Sequence, residues 1–176
     1  YRSFADRGVA PAVDELPSEL GASPAEIRSA LRQLAADRHV VLGADDSIVM
    51  AHPFASIPLG FSVMGRQTLW WGGCAWDAFA MPHLLLREDA LLVATRCPGC
   101  GAAHAWSVGR SGSPVGEEVA HFLVPAAHIW DDVVHTCSNQ RIFCSRGCIQ
   151  GWLTRTSQDE GYVMDLATPW RVASRW

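Results

Sequence analysis

The 176-residue chain contains six cysteines, and their neighbours divide them into two sets by the chemistry each spacing allows. Cys97-Pro98-Gly99-Cys100-Gly101 places two thiols two residues apart around a glycine turn, the arrangement by which a hairpin tip chelates one metal ion. Phe143-Cys144-Ser145-Arg146-Gly147-Cys148 supplies a second close pair, just where a helix is expected to begin. A hairpin knuckle plus a pair at a helix start is the layout of a treble-clef or zinc-ribbon site. Cys97, Cys100, Cys144 and Cys148 are therefore expected to hold one structural zinc ion. Four thiolates close a tetrahedral shell and leave no position for a substrate; iron is the lesser metal option. Buried free cysteines, or a redox dithiol at Cys97 and Cys100, do not explain why both pairs have ligand spacing.

Cys74 lies in Gly72-Gly73-Cys74-Ala75-Trp76-Asp77-Ala78-Phe79. A helix beginning near Cys74 puts its thiol at the positive end, where the thiolate is favoured. Asp77, three residues on, then projects from the same face, a proton carrier beside a soft nucleophile. Cys137, in His135-Thr136-Cys137-Ser138-Asn139-Gln140, can converge on the same spot only through the fold. The plainer reading makes Cys74 a small buried hydrophobe and Asp77 a helix cap. The residues alone leave the two readings open.

The elements that must position these groups form an α+β chain in two parts. Residues 1–56 contain a winged helix-turn-helix over 11–56. A short helical stretch through Val13, Leu16 and Leu20 stops at Gly21. Ser23-Pro24-Ala25-Glu26 then opens a helix with a capping box, and Ile27, Leu31 and Leu34 bury one face. Val40–Leu42 and Ser47–Met50 flank a turn and read as the wing hairpin. His52-Pro53-Phe54-Ala55-Ser56-Ile57-Pro58 is a proline-punctuated connection. In residues 57–176, Cys74 to Leu86 reads as a helix that Pro82 ends or kinks. Leu91–Thr95 and His104–Val108 read as strands joined across the first knuckle. Val119–Val124 is a further strand, Asp131 and Asp132 start a brief helical turn, Ile149–Thr154 is helical, and Gly161–Leu166 is a late strand.

The segment from Gly72 to Pro82 resembles the active-site segment of the organomercurial (alkylmercury) lyase family, which carries Cys-Ala-x-Asp followed by an apolar helix and a proline. Thr136-Cys137-Ser138-Asn139-Gln140-Arg141-Ile142-Phe143-Cys144-Ser145 is similar to that family's segment around its second catalytic cysteine. The winged helix and the order of the parts also fit, over roughly residues 10 to 166. The resemblance implies a lyase-like second domain in which Cys74 and Cys137 are the catalytic cysteines and Asp77 the catalytic aspartate. It implies protonolysis of a carbon–mercury bond to a hydrocarbon and protein-bound Hg(II), with Cys74 and Cys137 holding the metal of substrate and product. Two soft thiolates bind Hg(II) tightly and weaken its remaining bond to carbon, and Asp77 then delivers a proton as general acid. The product is expected to leave to a low-molecular-weight thiol or, as the family implies, to mercuric reductase. No organic cofactor is expected.

The bulk numbers narrow the alternatives. Apolar residues make up 49% and charged residues 18% of the chain, enough apolar surface for a packed core. A net charge of −4 argues against general nucleic-acid binding, which needs clustered Lys and Arg. Residues 1–56 hold five Arg against eight Asp plus Glu, a net −3, so Arg28 and Arg32 are not expected to hold DNA and the winged helix reads as a structural or lid module. No apolar run approaches the roughly 18 residues of a bilayer span, and Tyr1–Asp6 has no signal-peptide pattern. The expected compartment is the cytoplasm, where cysteines stay reduced. Trp70, Trp71, Trp76, Trp106, Trp130 and Trp152 are read as core first and as lining for an organic group second. His104, His121, His128 and His135 read as ordinary core or surface histidines. The competing functions are a non-catalytic metal-binding or metal-responsive regulator on the same fold, and a thiol enzyme of other scope.

Overall fold

Ser23 starts a helix as its chemistry dictates. Its hydroxyl accepts from the Glu26 N–H, and the Glu26 carboxylate accepts from the Ser23 N–H, so two orphan donors of the first turn are satisfied reciprocally. In the computed structural model, which describes residues 1–175, this helix is the third of the chain. The order is α1 (Arg2–Arg7), α2 (Leu16–Leu20), α3 (Pro24–Ala36), β1 (Val41–Leu42), β2 (Ile48–Ala51), β3 (Phe54–Ala55), β4 (Phe61–Met64) and β5 (Leu69–Gly72). There follow α4 (Ala75–Leu84), β6 (Ala90–Arg96), β7 (Ala103–Gly109), β8 (Val119–Phe122), a 3-10 turn at Ala126–His128, α5 (Val133–Ser138), β9 (Gln140–Phe143), α6 (Arg146–Thr156), β10 (Tyr162–Asp165) and α7 (Ala167–Ala173).

The larger sheet is antiparallel, in the order β1-β2-β3-β5-β4-β6-β7. It runs unbroken across residue 56, because β3, inside the proline-punctuated connection, pairs with β2 on one side and β5 on the other. β10-β8-β9 form a second antiparallel sheet. α3 buries Ile27 and Leu31 but leaves Leu34 39% exposed, a narrower stripe than its spacing predicts. α1 is part of the core: Phe4 stacks on Phe54 with centroids 5.5 Å apart, and its carbonyl accepts from Trp70 Nε1 at 2.8 Å.

α4 is apolar around most of its circumference, as befits a helix buried among other elements. Ala75, Ala78, Phe79, Ala80 and Met81 are all buried. Pro82 sits in the last turn, and the helix ends two residues later because the ring removes an N–H the ladder needs. α7 packs across α4, and Trp170 Nε1 donates to the Gly109 carbonyl at the end of β7. Among the described residues, no helix is long and apolar enough to cross a membrane.

Candidate active site

Cys74 stands at the junction where β5 gives way to α4. It is the N-cap residue, in extended conformation, and its sulfur accepts from the Asp77 N–H at 3.4 Å. The thiol thus occupies the place a Ser or Asp side chain ordinarily takes. Asp77, in the first turn, carries its carboxylate to the same spot. Its Oδ2 faces the Cys137 thiol at 3.6 Å, and its Oδ1 meets His52 Nδ1 at 3.0 Å. Cys137 lies in α5, whose start is capped by Asp132 accepting from the His135 N–H at 2.9 Å. The fold therefore brings Cys74, Asp77 and Cys137 together from two helices far apart in sequence. All three are buried, at 1%, 0% and 2% exposure.

That burial reverses one expectation. The helix start was expected to favour the Cys74 thiolate, but desolvation pushes this thiol well above its ordinary range. Its hydrogen bond with Cys137 and the nearby Asp77 charge push the same way, and the single N–H from Asp77 offsets little. For Cys137 the hydrogen bond from Cys74 pulls down, while burial, the Asp77 charge and the bond to Asp77 carry the net shift upward. At this depth of burial the charged form loses more than one helix end returns. Burial thus favours the protonated form of both thiols.

The apolar surround comprises Met50, Ala55, Leu59 and Val133, with Trp71, Trp76 and Trp130 packed against the cluster. The other three tryptophans considered from sequence lie elsewhere. Trp70 bonds α1, Trp106 packs edge-on to Phe79, and Trp152 packs against Phe143. Gly73 leaves no room for a side chain, since an added Cβ would overlap Asp77 Oδ2 and come within 2.6 Å of Met50 Cε. His52 escaped sequence reasoning: it sits in a two-residue turn between β2 and β3, and nothing local pairs it with Asp77.

The other four cysteines also converge. The Sγ atoms of Cys97, Cys100, Cys144 and Cys148 all lie within 4.8 Å of one another, and those of Cys100 and Cys144 are 3.4 Å apart. Sulfurs sharing a tetrahedral ion at about 2.3 Å stand roughly 3.8 Å apart, so this donor set fits zinc. Burial opposes the Cys97 thiolate, but the N–H groups of Cys144, Cys100 and Gly99 outweigh it and bring this thiol down to about 7. Gly99 is pressed against Cys148, where a Cβ would stand 2.7 Å from the Cys148 Cβ. His104 is more than an ordinary core histidine. Its Nε2 is 3.2 Å from the Cys144 sulfur and its Nδ1 is 3.1 Å from Glu118 Oε1. β9 links the two cysteine sites, with Cys137 just before it and Cys144 just after.

The family model described as alkylmercury lyase (MerB) matches residues 54–176. Among solved structures, the chain is similar to a crystal structure of the mercury-bound form of MerB2. The TM-score is 0.71 at 19% identity, covering 98% of this chain and 84% of that one, a likeness of fold. No curated protein matches the chain.

Proposed function

The chain belongs to the alkylmercury lyase family, and from that membership we infer that it cleaves carbon–mercury bonds by protonolysis with Cys74, Cys137 and Asp77 as the reacting groups. The observation that carries these roles is one buried aspartate in contact with both cysteines, its backbone N–H donating to the Cys74 sulfur and its carboxylate Oδ2 facing the Cys137 thiol. The substrate is an organomercurial, R–Hg–X. Cys74 displaces X from mercury, and its proton leaves with X. Cys137 then adds to mercury while its proton passes to Asp77 Oδ2. Asp77 gives that proton to carbon as the carbon–mercury bond breaks, the bond's electron pair going to the new C–H bond. R–Hg–X and two thiols become R–H, a dithiolate of Hg(II) and H–X. Two soft thiolates on mercury weaken its bond to carbon, and a positioned general acid contributes roughly 10²–10⁴-fold.

The raised thiols suit this scheme, because the proton that carbon needs is stored on the nucleophile itself. We read Cys97, Cys100, Cys144 and Cys148 as a structural zinc centre that ties the β6–β7 hairpin to the start of α6. The supporting observation is the clustering of their sulfurs. The order α2, α3, β1, β2 supports a winged helix-turn-helix over residues 1–56, whose β2 joins through β3 the sheet of the lyase portion in 57–176. Its acidity favours a structural module over a DNA reader. In this reading the protein works in the cytoplasm and hands Hg(II) to a low-molecular-weight thiol or to mercuric reductase.

The test is benzene release from phenylmercury by the purified reduced protein with excess thiol. Release abolished by Cys74→Ser and by Cys137→Ser is the expected result. Hg(II) binding at these cysteines with no hydrocarbon formed would refute the enzyme and leave a metal-binding protein.

A further inference from the structure

We propose that His52 is a positioning residue of the lyase reaction, anchoring one oxygen of Asp77 so that the other stays aimed at Cys137. This rests on the reading of Asp77 as the proton carrier. A carboxylate oxygen accepts hydrogen bonds, so in this contact the ring nitrogen is the donor. The bond from Nδ1 to Oδ1 is short, at 3.0 Å, and the Cys137 thiol approaches the opposite oxygen at 3.6 Å. The Asp77 N–H is engaged with Cys74 and does not restrain its own carboxylate. The terminal torsion of an Asp side chain is broad and roughly two-fold. Without a tether on Oδ1, the carboxylate would turn away from the thiol it must deprotonate.

The imidazole is itself held. Its side chain is 13% exposed and packs edge-on to Trp130, with centroids 5.4 Å apart and planes at 70°. The flanking residues Ala51 and Phe54 are paired across the β2–β3 turn. The Pro53 carbonyl accepts from the Gly73 N–H at 3.3 Å, which ties the turn to the residue preceding Cys74. His52 lies ahead of the residues 54–176 that the family model matches. The segment before the matched region thus supplies a working part of the site.

Three variants decide the matter: His52→Asn, His52→Gln and His52→Leu. The amide nitrogen of Asn stands as many bonds from Cα as Nδ1 does, whereas that of Gln corresponds to Nε2. Each variant is measured for kcat and KM in hydrocarbon release, Hg(II) bound per chain, and thermal midpoint. His52→Leu and His52→Gln should lower kcat by about 10–100-fold, as loss of an outer-shell partner does. KM and Hg(II) stoichiometry should hold, and His52→Asn should return kcat close to wild type. A packing role predicts the opposite order, because Gln and Leu match imidazole in size better than Asn. Wild-type kcat in His52→Leu, or Gln and Leu outperforming Asn, would overturn the proposal. If one variant fails to fold, the comparison of the other two still decides. A wild-type protein that releases no hydrocarbon overturns the lyase reading, and this proposal with it.

Discussion

Gly73→Ala adds one methyl group where the Asp77 carboxylate stands. Gly73 is not among the glycines with positive φ, so its backbone accepts alanine and the entire effect comes from the new contact. The Cβ would overlap Asp77 Oδ2 and lie 2.6 Å from Met50 Cε and 3.2 Å from Asp77 Cγ. Met50 ends in a flexible methyl and can swing aside. The Asp77 carboxylate cannot follow freely, because Oδ1 is bonded to His52. Oδ2 must retreat by about an ångström, a misplacement that costs roughly 10²-fold in rate, or about 2.7 kcal/mol of barrier. Overpacking at a buried site costs about 1–3 kcal/mol of stability, and each kcal/mol lowers Tm by roughly 2–4 °C in a chain of this size. The assay is kcat for hydrocarbon release beside Tm and Hg(II) titration. The expected variant is folded, binds one Hg(II) through its two thiols, and turns over about a hundredfold more slowly. A folded Gly73→Ala protein with kcat within about threefold of wild type, a barrier change under roughly 0.7 kcal/mol, would show that Oδ2 is not the oxygen that moves the proton.

Asp77→Asn keeps the shape of the site but removes the proton acceptor; turnover should fall by roughly 10²–10⁴-fold while Hg(II) titrations still show tight binding. Cys97→Ser should lower both zinc content and Tm, read by metal analysis and circular dichroism, since a structural metal and folding are coupled; a stable, metal-free and fully active variant would remove the zinc assignment. Burial raises the Cys74 thiol above its unfolded value of 9.0, so the folded chain holds this proton at pH values where the unfolded chain has lost it. The resulting stability is complete below pH 9 and is lost as pH rises through the folded value. Chemical denaturation between pH 8 and 10.5 should therefore show an alkaline decline that Cys74→Ala makes shallower, and an unchanged slope would refute it.

What the sequence disclosed and what it hid follow from the range of the interactions involved. The Ser23–Glu26 capping box, the Cys97–Cys100 knuckle and the Cys74–Asp77 pair are local patterns of residue type, and local sterics and hydrogen bonding determine them. β4, β5 and β9 have four residues each, too few for alternation to stand out, and β9 is squeezed between two cysteine motifs. No helix is expected before Val13 from sequence, because the one buried anchor of α1, Phe4, finds its partners Phe54 and Trp70 far along the chain. His52 and His104 acquire their partners Asp77 and Cys144 only when distant segments meet. The sign of the Cys74 shift is hidden for the same reason: a helix end can be read locally, whereas the burial of a thiol cannot.

The unbroken course of the large sheet across residue 56 bears on how this protein can be cut and recombined. A chain trimmed to the matched region, starting at residue 54, would lose β1 and β2 and leave the two-residue β3 as a bare sheet edge beside β5. An edge stripped of its neighbour offers unpaired N–H and C=O groups to other molecules. It would also lose Phe4 from the core and the Met50 wall of the thiol cluster. The leading segment is thus structural timber: swapping it between relatives, or deleting it to obtain a minimal catalyst, would leave the cysteines without the frame that keeps them buried.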